Sequence, residues 1–174
     1  TVNLAAGSAK ATLVVGGKGE DNTVYARDLS KPMVVTVESS LLDDLKKSAD
    51  DYRRKDLFEF RAYNATRVEF TRGAQTVVFE RVKGGKENEP DKWRRVSPNA
   101  ADADRDKVDA LLAKLANMRA ASFVESQAKT GLDKPALVVY AKFDDGKKEE
   151  RIAFGQVDKD VFATIPGASG AAKT

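Results

Sequence analysis

The hydrophobic pattern of this chain switches between two periods. Apolar residues recur at three- and four-residue steps in two places, the spacing that lines one face of a helix. In the first, Leu41, Leu42, Leu45, Ala49 and Tyr52 follow Ser39–Ser40. Either serine can cap free backbone N–H groups. Asp43–Asp44 suit the positive end of a helix dipole, and Arg53, Arg54 and Lys55 the negative end. In the second, Val108, Leu111, Leu112, Leu115 and Met118 follow Pro98 and the acids Asp102, Asp104 and Asp106. Both segments predict amphipathic helices packed on one side.

The remainder predicts strands. Ala11 to Val15, Thr23 to Arg27, Met33 to Val37, Gln75 to Val82, Lys92 to Val96 and Glu150 to Phe154 are short runs bounded by turn residues. Thr66 to Thr71 alternates, with Val68 and Phe70 on one face. Arg72–Gly73–Ala74 predicts a tight turn into Gln75, and the polar stretch Lys83 to Asp91 a loop. Ala136 to Phe143 is apolar and ends at Asp144–Asp145–Gly146, a hairpin signal; Val161 to Ile165 adds a last strand. Connections this short require antiparallel pairing, because parallel neighbours need crossovers of about a dozen residues. The predicted class is α+β, antiparallel sheets of hairpins with the two amphipathic helices packed on the strands.

An internal repeat crosses this pattern. Leu13-Val14-Val15-Gly16 with Val24-Tyr25-Ala26-Arg27 matches Ile152-Ala153-Phe154-Gly155 with Val161-Phe162-Ala163-Thr164. The two glycines lie 139 residues apart and the two valines 137. A period near 140 residues is that of a duplicated domain, of which this chain reads as one circularly cut unit.

Composition narrows the chemistry. At 174 residues the chain predicts a single α+β domain over 1–166, with the Gly-, Ala-, Ser- and Lys-rich 167–174 as a flexible tail. Thr1 in place of an initiator Met predicts an excised or processed piece. Lys and Arg number 30 against 27 Asp and Glu, so the net charge is only +3. With neither Cys nor His, the chain has no disulfide, thiolate zinc site, cysteine nucleophile or His-based triad. No run reaches the roughly 18 apolar residues of a membrane span.

An ordered set of motifs resembles a known family. Val24-Tyr25-Ala26-Arg27, Ser40-Leu41-Leu42-Asp43-Asp44-Leu45 and Arg54-Lys55-Asp56-Leu57-Phe58-Glu59-Phe60 come first. Trp93, Pro98, Ala101-Asp102, Val108, Leu111-Leu112, Leu115 and Gly131-Leu132-Asp133-Lys134-Pro135 then follow in order. From about Ala11 to about Val161 the chain resembles bacterial domain-of-unknown-function family 4340; its Lys83 to Asp91 loop is longer and more charged than the family's pattern. The resemblance implies a membrane-anchored parent protein facing the periplasm or cell exterior, often encoded beside gliding-motility-type ABC transporter components. It supplies no catalytic residues.

Other motifs fall short of a site. Gly16-Gly17-Lys18-Gly19 lacks the Ser or Thr and the helix that follow a phosphate loop, so it predicts a hairpin loop. Asp102, Asp104 and Asp106 open like a calcium loop, but Lys107 and Ala113 stand where it requires Gly and Glu, so capping explains the acids. Asp43–Asp44 and Asp50–Asp51 are adjacent pairs, which point about 100° apart on a helix and do not converge on a substrate. Asn64-Ala65-Thr66 has the pattern of a glycosylation acceptor, but in the bacterial setting that the resemblance implies it predicts a turn.

Two stretches, Lys92-Trp93-Arg94-Arg95 and Tyr52-Arg53-Arg54-Lys55, interleave cations with aromatics. Nucleic acid is discounted, because its main affinity term needs concentrated positive charge. Trp93, Arg94, Arg95, Tyr52, Arg53 and Arg54 are instead the candidate interaction surface, while Trp93 also fits a core edge with Lys92 and Arg94 on the opposite face. Tyr25, Tyr63, Trp93 and Tyr140 are candidates to line a ligand site or pack a core. The expectation is a non-catalytic, extracytoplasmic interaction or scaffold domain without cofactor or metal. Its partners are envelope proteins such as transporter permease or ATPase subunits, and membrane contact is made only through a segment outside this chain. A binding module for a small molecule, lipid or glycan is the alternative.

Overall fold

A computed structural model describes residues 1–85 and 89–174, so the expected Lys83 to Asp91 loop lies outside the described residues at 86–88. The chain divides into two compact units, Thr1–Arg53 and Arg54–Thr174, where a single domain over 1–166 was expected. The class is α+β, dominated by antiparallel sheet.

The first unit is a four-stranded meander of β1 (Val2–Ala6), β2 (Ala9–Lys18), β3 (Thr23–Asp28) and β4 (Val35–Glu38), each paired with the next. Gly7, at φ +60°, makes the tight β1–β2 turn, a conformation glycine reaches at no steric cost. The glycine-rich stretch at 16–19 ends β2 and opens the loop into β3, with a bulge between Val15 and Lys18, as expected of a hairpin. The expected helix over 41–52 is broken. It forms α1 (Ser40–Lys46) and α2 (Ala49–Tyr52), with no buried residue in either. Ser48 is the cause. It restarts the backbone with a capping box, its own N–H and hydroxyl donating to Asp51 at 2.8 Å each.

The second unit is a nine-stranded antiparallel sheet. In chain order its strands are β5 (Ala65–Arg72), β6 (Gln75–Val82), β7 (Lys92–Ser97), β8 (Ala101–Ala103), β9 (Ser122–Val124), β10 (Leu137–Phe143), β11 (Lys148–Val157), β12 (Asp160–Thr164) and β13 (Ala171–Lys173). In space the order is β8-β7-β6-β5-β10-β11-β12-β13-β9. Helix α3 (Arg105–Ala116) fulfils the second periodicity. Asp104 caps it by accepting from the Lys107 N–H at 3.1 Å, and Val108, Leu112 and Leu115 are buried, while Leu111 stays on the exposed side. One core joins α3 to Val68, Val139, Ala141, Phe143, Ile152 and Phe154 of the sheet, with Phe58, Phe60 and Trp93. Glu150 secures the segment carrying Phe58 and Phe60, accepting the backbone N–H groups of Glu59 at 2.9 Å and Phe60 at 2.8 Å.

The tail expectation is corrected. Residues 171–173 form β13, which bridges β12 and β9, and Ala171 and Ala172 are buried. Alanines and a lysine carry little strand propensity, so the strand comes from pairing on both sides rather than from local preference. Strand β8 (Ala-Asp-Ala) forms for the same reason, while β9, three residues long, and β1 are too short or too weakly alternating to stand out before they are paired.

The two hairpins of the internal repeat have equivalent registers. Val14 pairs with Arg27 and Val15 with Ala26; at the matching positions Ala153 pairs with Thr164 and Phe154 with Ala163. Equivalence extends to the flanking strands. Val2 faces Leu13 as Val139 faces Ile152, and Ala26 faces Val35 as Ala163 faces Ala172. Two residues fewer in the β1–β2 turn and two more between Gly16 and Val24 account for the unequal spacings.

Candidate functional site

The six residues expected on an interaction surface are distributed unevenly. Trp93 is a core residue at 2% exposure, which corrects its assignment to the surface. Its indole Nε1–H donates to Asp109 Oδ1 at 2.8 Å, and the Arg81 guanidinium lies 4.6 Å from its ring centroid. Arg81 also donates from Nε to the Ala65 carbonyl at 2.8 Å and pairs with Asp109 at 3.4 Å, so Arg81, Trp93 and Asp109 join β6, β7 and α3. Arg94 is exposed on the other side of β7, and Arg95 donates from Nε to the Asn99 carbonyl at 3.0 Å. In the first unit, Tyr52 is exposed with its hydroxyl donating to the Asp44 carbonyl at 2.6 Å, and Arg53 pairs with Asp50 at 3.0 Å. In the second, Arg54 pairs with Glu59 at 3.0 Å.

A different surface is better organised. Alternation puts one set of β5, β10 and β11 side chains into the core and the other on the opposite face of the sheet. Cross-strand pairing arranges that second set in rows: Glu80, Arg67, Lys142 and Glu149 in one, Val78, Glu69, Tyr140 and Arg151 in the next. Arg67 is the hub of the ion pairs, donating from Nε to Glu69 at 2.7 Å and from Nη1 to Glu80. The Glu69 hydrogen bond leads in holding the Arg67 pKa above its ordinary value.

Tyr140 sits at the centre of this face. Burial first, then the hydrogen bond its hydroxyl donates to Glu149 at 2.6 Å, push its pKa from 10 up to about 12. It therefore keeps its proton at neutral pH and acts as a donor, not as a base. A shallow cleft of about 320 Å³ opens here, lined by Arg67, Glu69, Val138, Tyr140, Lys142 and Arg151 among others. Of the four aromatics weighed as ligand-site lining, Tyr140 alone lines it; Tyr25 and Tyr63 are exposed elsewhere and Trp93 is in the core.

The family model described as "Domain of unknown function (DUF4340)" matches residues 1–92 and 93–171. The chain belongs to this family. The junction of the two matched segments falls inside β7, not at the boundary between the compact units. No curated protein and no solved structure matches the chain.

Of the three acids, Asp104 caps α3 and Asp106 lies in its first turn, whereas Asp102 lies in β8 opposite Arg94. Asn64 is a turn residue, accepting from the Arg61 N–H at 2.7 Å and donating to Asp144 at 2.9 Å. Among the described residues, no helix is long and apolar enough to cross a membrane, and no group of three or more acids is placed to hold a metal ion. The Tyr140 face went unnoticed in the sequence although half its signal is visible there: Arg67, Glu69 and Thr71 alternate with Val68 and Phe70.

Proposed function

We propose that this DUF4340 domain is a non-catalytic interaction module. In this reading it is the extracytoplasmic part of a membrane-anchored accessory protein of an ABC transporter-type complex, and the Tyr140 face is its contact surface. The observation that carries the interaction role is the lattice of three cations and three acids around one protonated tyrosine. Such a face offers a protein partner many charge-assisted hydrogen bonds and a register set by sign, which gives specificity more than bulk affinity. The transporter assignment follows from the family resemblance.

The test is a photo-crosslinking residue at Arg151 in the parent protein within its native membrane, read by mass spectrometry, with the same residue at Leu111, on the exposed side of α3 across the sheet, as control. Permease subunits captured from position 151 and not from 111 are expected, with any ATPase co-purifying through them and capture lost in Lys142→Glu. Equal capture from both positions sinks the assignment of this face. The cleft beside Val138 and Tyr140 favours a second reading, a small-ligand site; a bound mass surviving in native mass spectrometry and lost in Tyr140→Ala supports it.

We also infer that the chain is one period of a duplicated unit. The four strands β1 to β4 correspond in register to β10 to β13, which supports descent from one ancestral meander.

A further inference from the structure

The two meanders share a register and a buried third strand, with Ala26 at 1% exposure and its equivalent Ala163 at 2%, but differ in cover along β1 and β4. In the second unit, Val139, Ala141 and Phe143 of β10 lie under α3, Phe58 and Phe60, as do Ile152 and Phe154 of β11. Their register equivalents Val2, Leu4, Ala6, Leu13 and Val15 form the same face of β1 and β2. There Leu4 is 56% exposed where Ala141 is 0%, and Val35 is 44% exposed where Ala172 is 8%.

The strand edges differ in the same sense. Strand β10 pairs with β5 on its outer side and β13 with β9, whereas among the described residues β1 and β4 each pair with one strand. Unpaired edges bordering an apolar face are templates for strand addition.

Gly16 is a further indication. At the equivalent position Gly155, a Cβ would stand 2.3 Å from the Thr130 carbonyl oxygen and 2.6 Å from the Gly131 carbonyl carbon, so the close approach of that loop demands glycine. At Gly16 a Cβ meets nothing nearer than the Tyr25 oxygen at 3.7 Å, and its φ is not positive. The first unit thus keeps, at the start of the Val15–Lys18 bulge, a glycine that no close contact requires.

We propose that the sheet of the first unit is a docking surface for a second copy of the segment 54–137, joined to Thr1. That segment contains every element that covers β10 to β13: the β5 strand, the β9 strand, α3, Phe58 and Phe60, and the Thr130–Leu132 loop. Docked in the same register, it adds a β5-type strand along β1 and a β9-type strand along β4. It also lays a helix across Val2, Leu4, Leu13 and Val15 and seats its loop against Gly16. The proposal rests on the duplicated-unit reading.

The experiment adds residues 54–137 directly ahead of Thr1, since Val138 is the register equivalent of Thr1, and compares hydrogen exchange with the 174-residue chain. Amides of β1 and β4 exchange rapidly in the shorter chain and about a hundredfold more slowly in the extended one. Gly16→Ala removes the slowing in the extended chain and leaves the shorter chain unchanged.

Register is read independently by disulfide formation, in a chain that has no cysteine of its own. Asn3→Cys oxidises onto Glu69→Cys of the added copy, because Tyr140, the equivalent of Asn3, faces Glu69; Ala5→Cys does not. An added copy that folds, with its tryptophan buried, yet leaves β1 and β4 in fast exchange overturns the docking and leaves the repeat standing. An added copy that stays unfolded beside a folded 54–174 overturns the repeat as well. A 174-residue chain that dimerises with β1 and β4 already protected assigns the surface to another copy of this chain and overturns the proposal.

Discussion

The β1–β4 and β10–β13 meanders make a natural experiment within one chain. Their strands share a register up to the bulge at Gly16, and Ala26 is as buried as its equivalent Ala163, yet Leu4 and Val35 stay at the surface where Ala141 and Ala172 are buried. Register is therefore a property of the strands and turns themselves, whereas burial belongs to whatever lies across them. The same residue type then carries different energetic weight at the two positions.

The sharpest way to break this comparison is truncation. Phe154→Ala is expected to cost about 3–5 kcal/mol, because its site is closed by Phe58 and the rest of the core. Leu4→Ala, largely exposed, is expected to stay within about 0.5 kcal/mol. Urea unfolding followed by circular dichroism measures both, and a large effect at Leu4 would show that the first unit already has cover.

The glycines come next. Gly155→Ala pushes a methyl group into the 130–132 backbone and is expected to destabilise by about 1–3 kcal/mol or more, against less than about 0.5 kcal/mol for Gly16→Ala. Thermal melts of the two single variants decide it, and equal losses would erase the contrast.

Glu150 sharpens the comparison at a polar position. Its register equivalent is Ala11, since Ala141 faces Glu150 as Leu4 faces Ala11. Glu150→Ala deprives the Glu59 and Phe60 N–H groups of their acceptor and is expected to cost about 1–3 kcal/mol. Proteolysis should then cut first near residues 54–62; an unchanged cleavage pattern would show that the carboxylate is dispensable.

The smallest effect is the pH dependence contributed by Tyr140, which has no counterpart at the matching position of the first unit because Asn3 stands there. A pKa raised on folding favours the protonated form in the folded state. The contribution of Tyr140 is therefore complete below its ordinary value of 10 and is lost as pH rises toward about 12. Ultraviolet titration should show a tyrosine ionising near pH 12 that disappears in Tyr140→Phe, and stability between pH 10 and 12 should fall less steeply in that variant.

Much of the fold was legible because its signals are local. The alternation in Thr66 to Thr71, the turns at Gly73 and Gly146 and the stripe Val108, Leu112, Leu115 depend on neighbours in sequence, and each formed the expected element. The first helix breaks by an equally local rule: Ser48 with Asp51 caps a new turn instead of continuing the old one. Less of the candidate site was legible. Trp93 beside two arginines looked like a surface, and only its burial against Asp109 and Arg81, distant in sequence, shows it to be structural. The Tyr140 face is assembled from β5, β6, β10 and β11, so its rows exist only once strands more than 60 residues apart are paired.

By itself, then, the sequence determined the antiparallel α+β class, the absence of thiol and imidazole chemistry, the second helix and the family. Periodicity, turn chemistry and residue inventory act over a few positions and need no partner. Tertiary structure alone decided that residues 171–173 are a strand, that Trp93 is core and that Leu4 and Val35 stay exposed where their equivalents Ala141 and Ala172 are buried. Burial is a relation between surfaces brought together from far along the chain, and a pattern of apolar residues says which face seeks cover without saying whether it has found any.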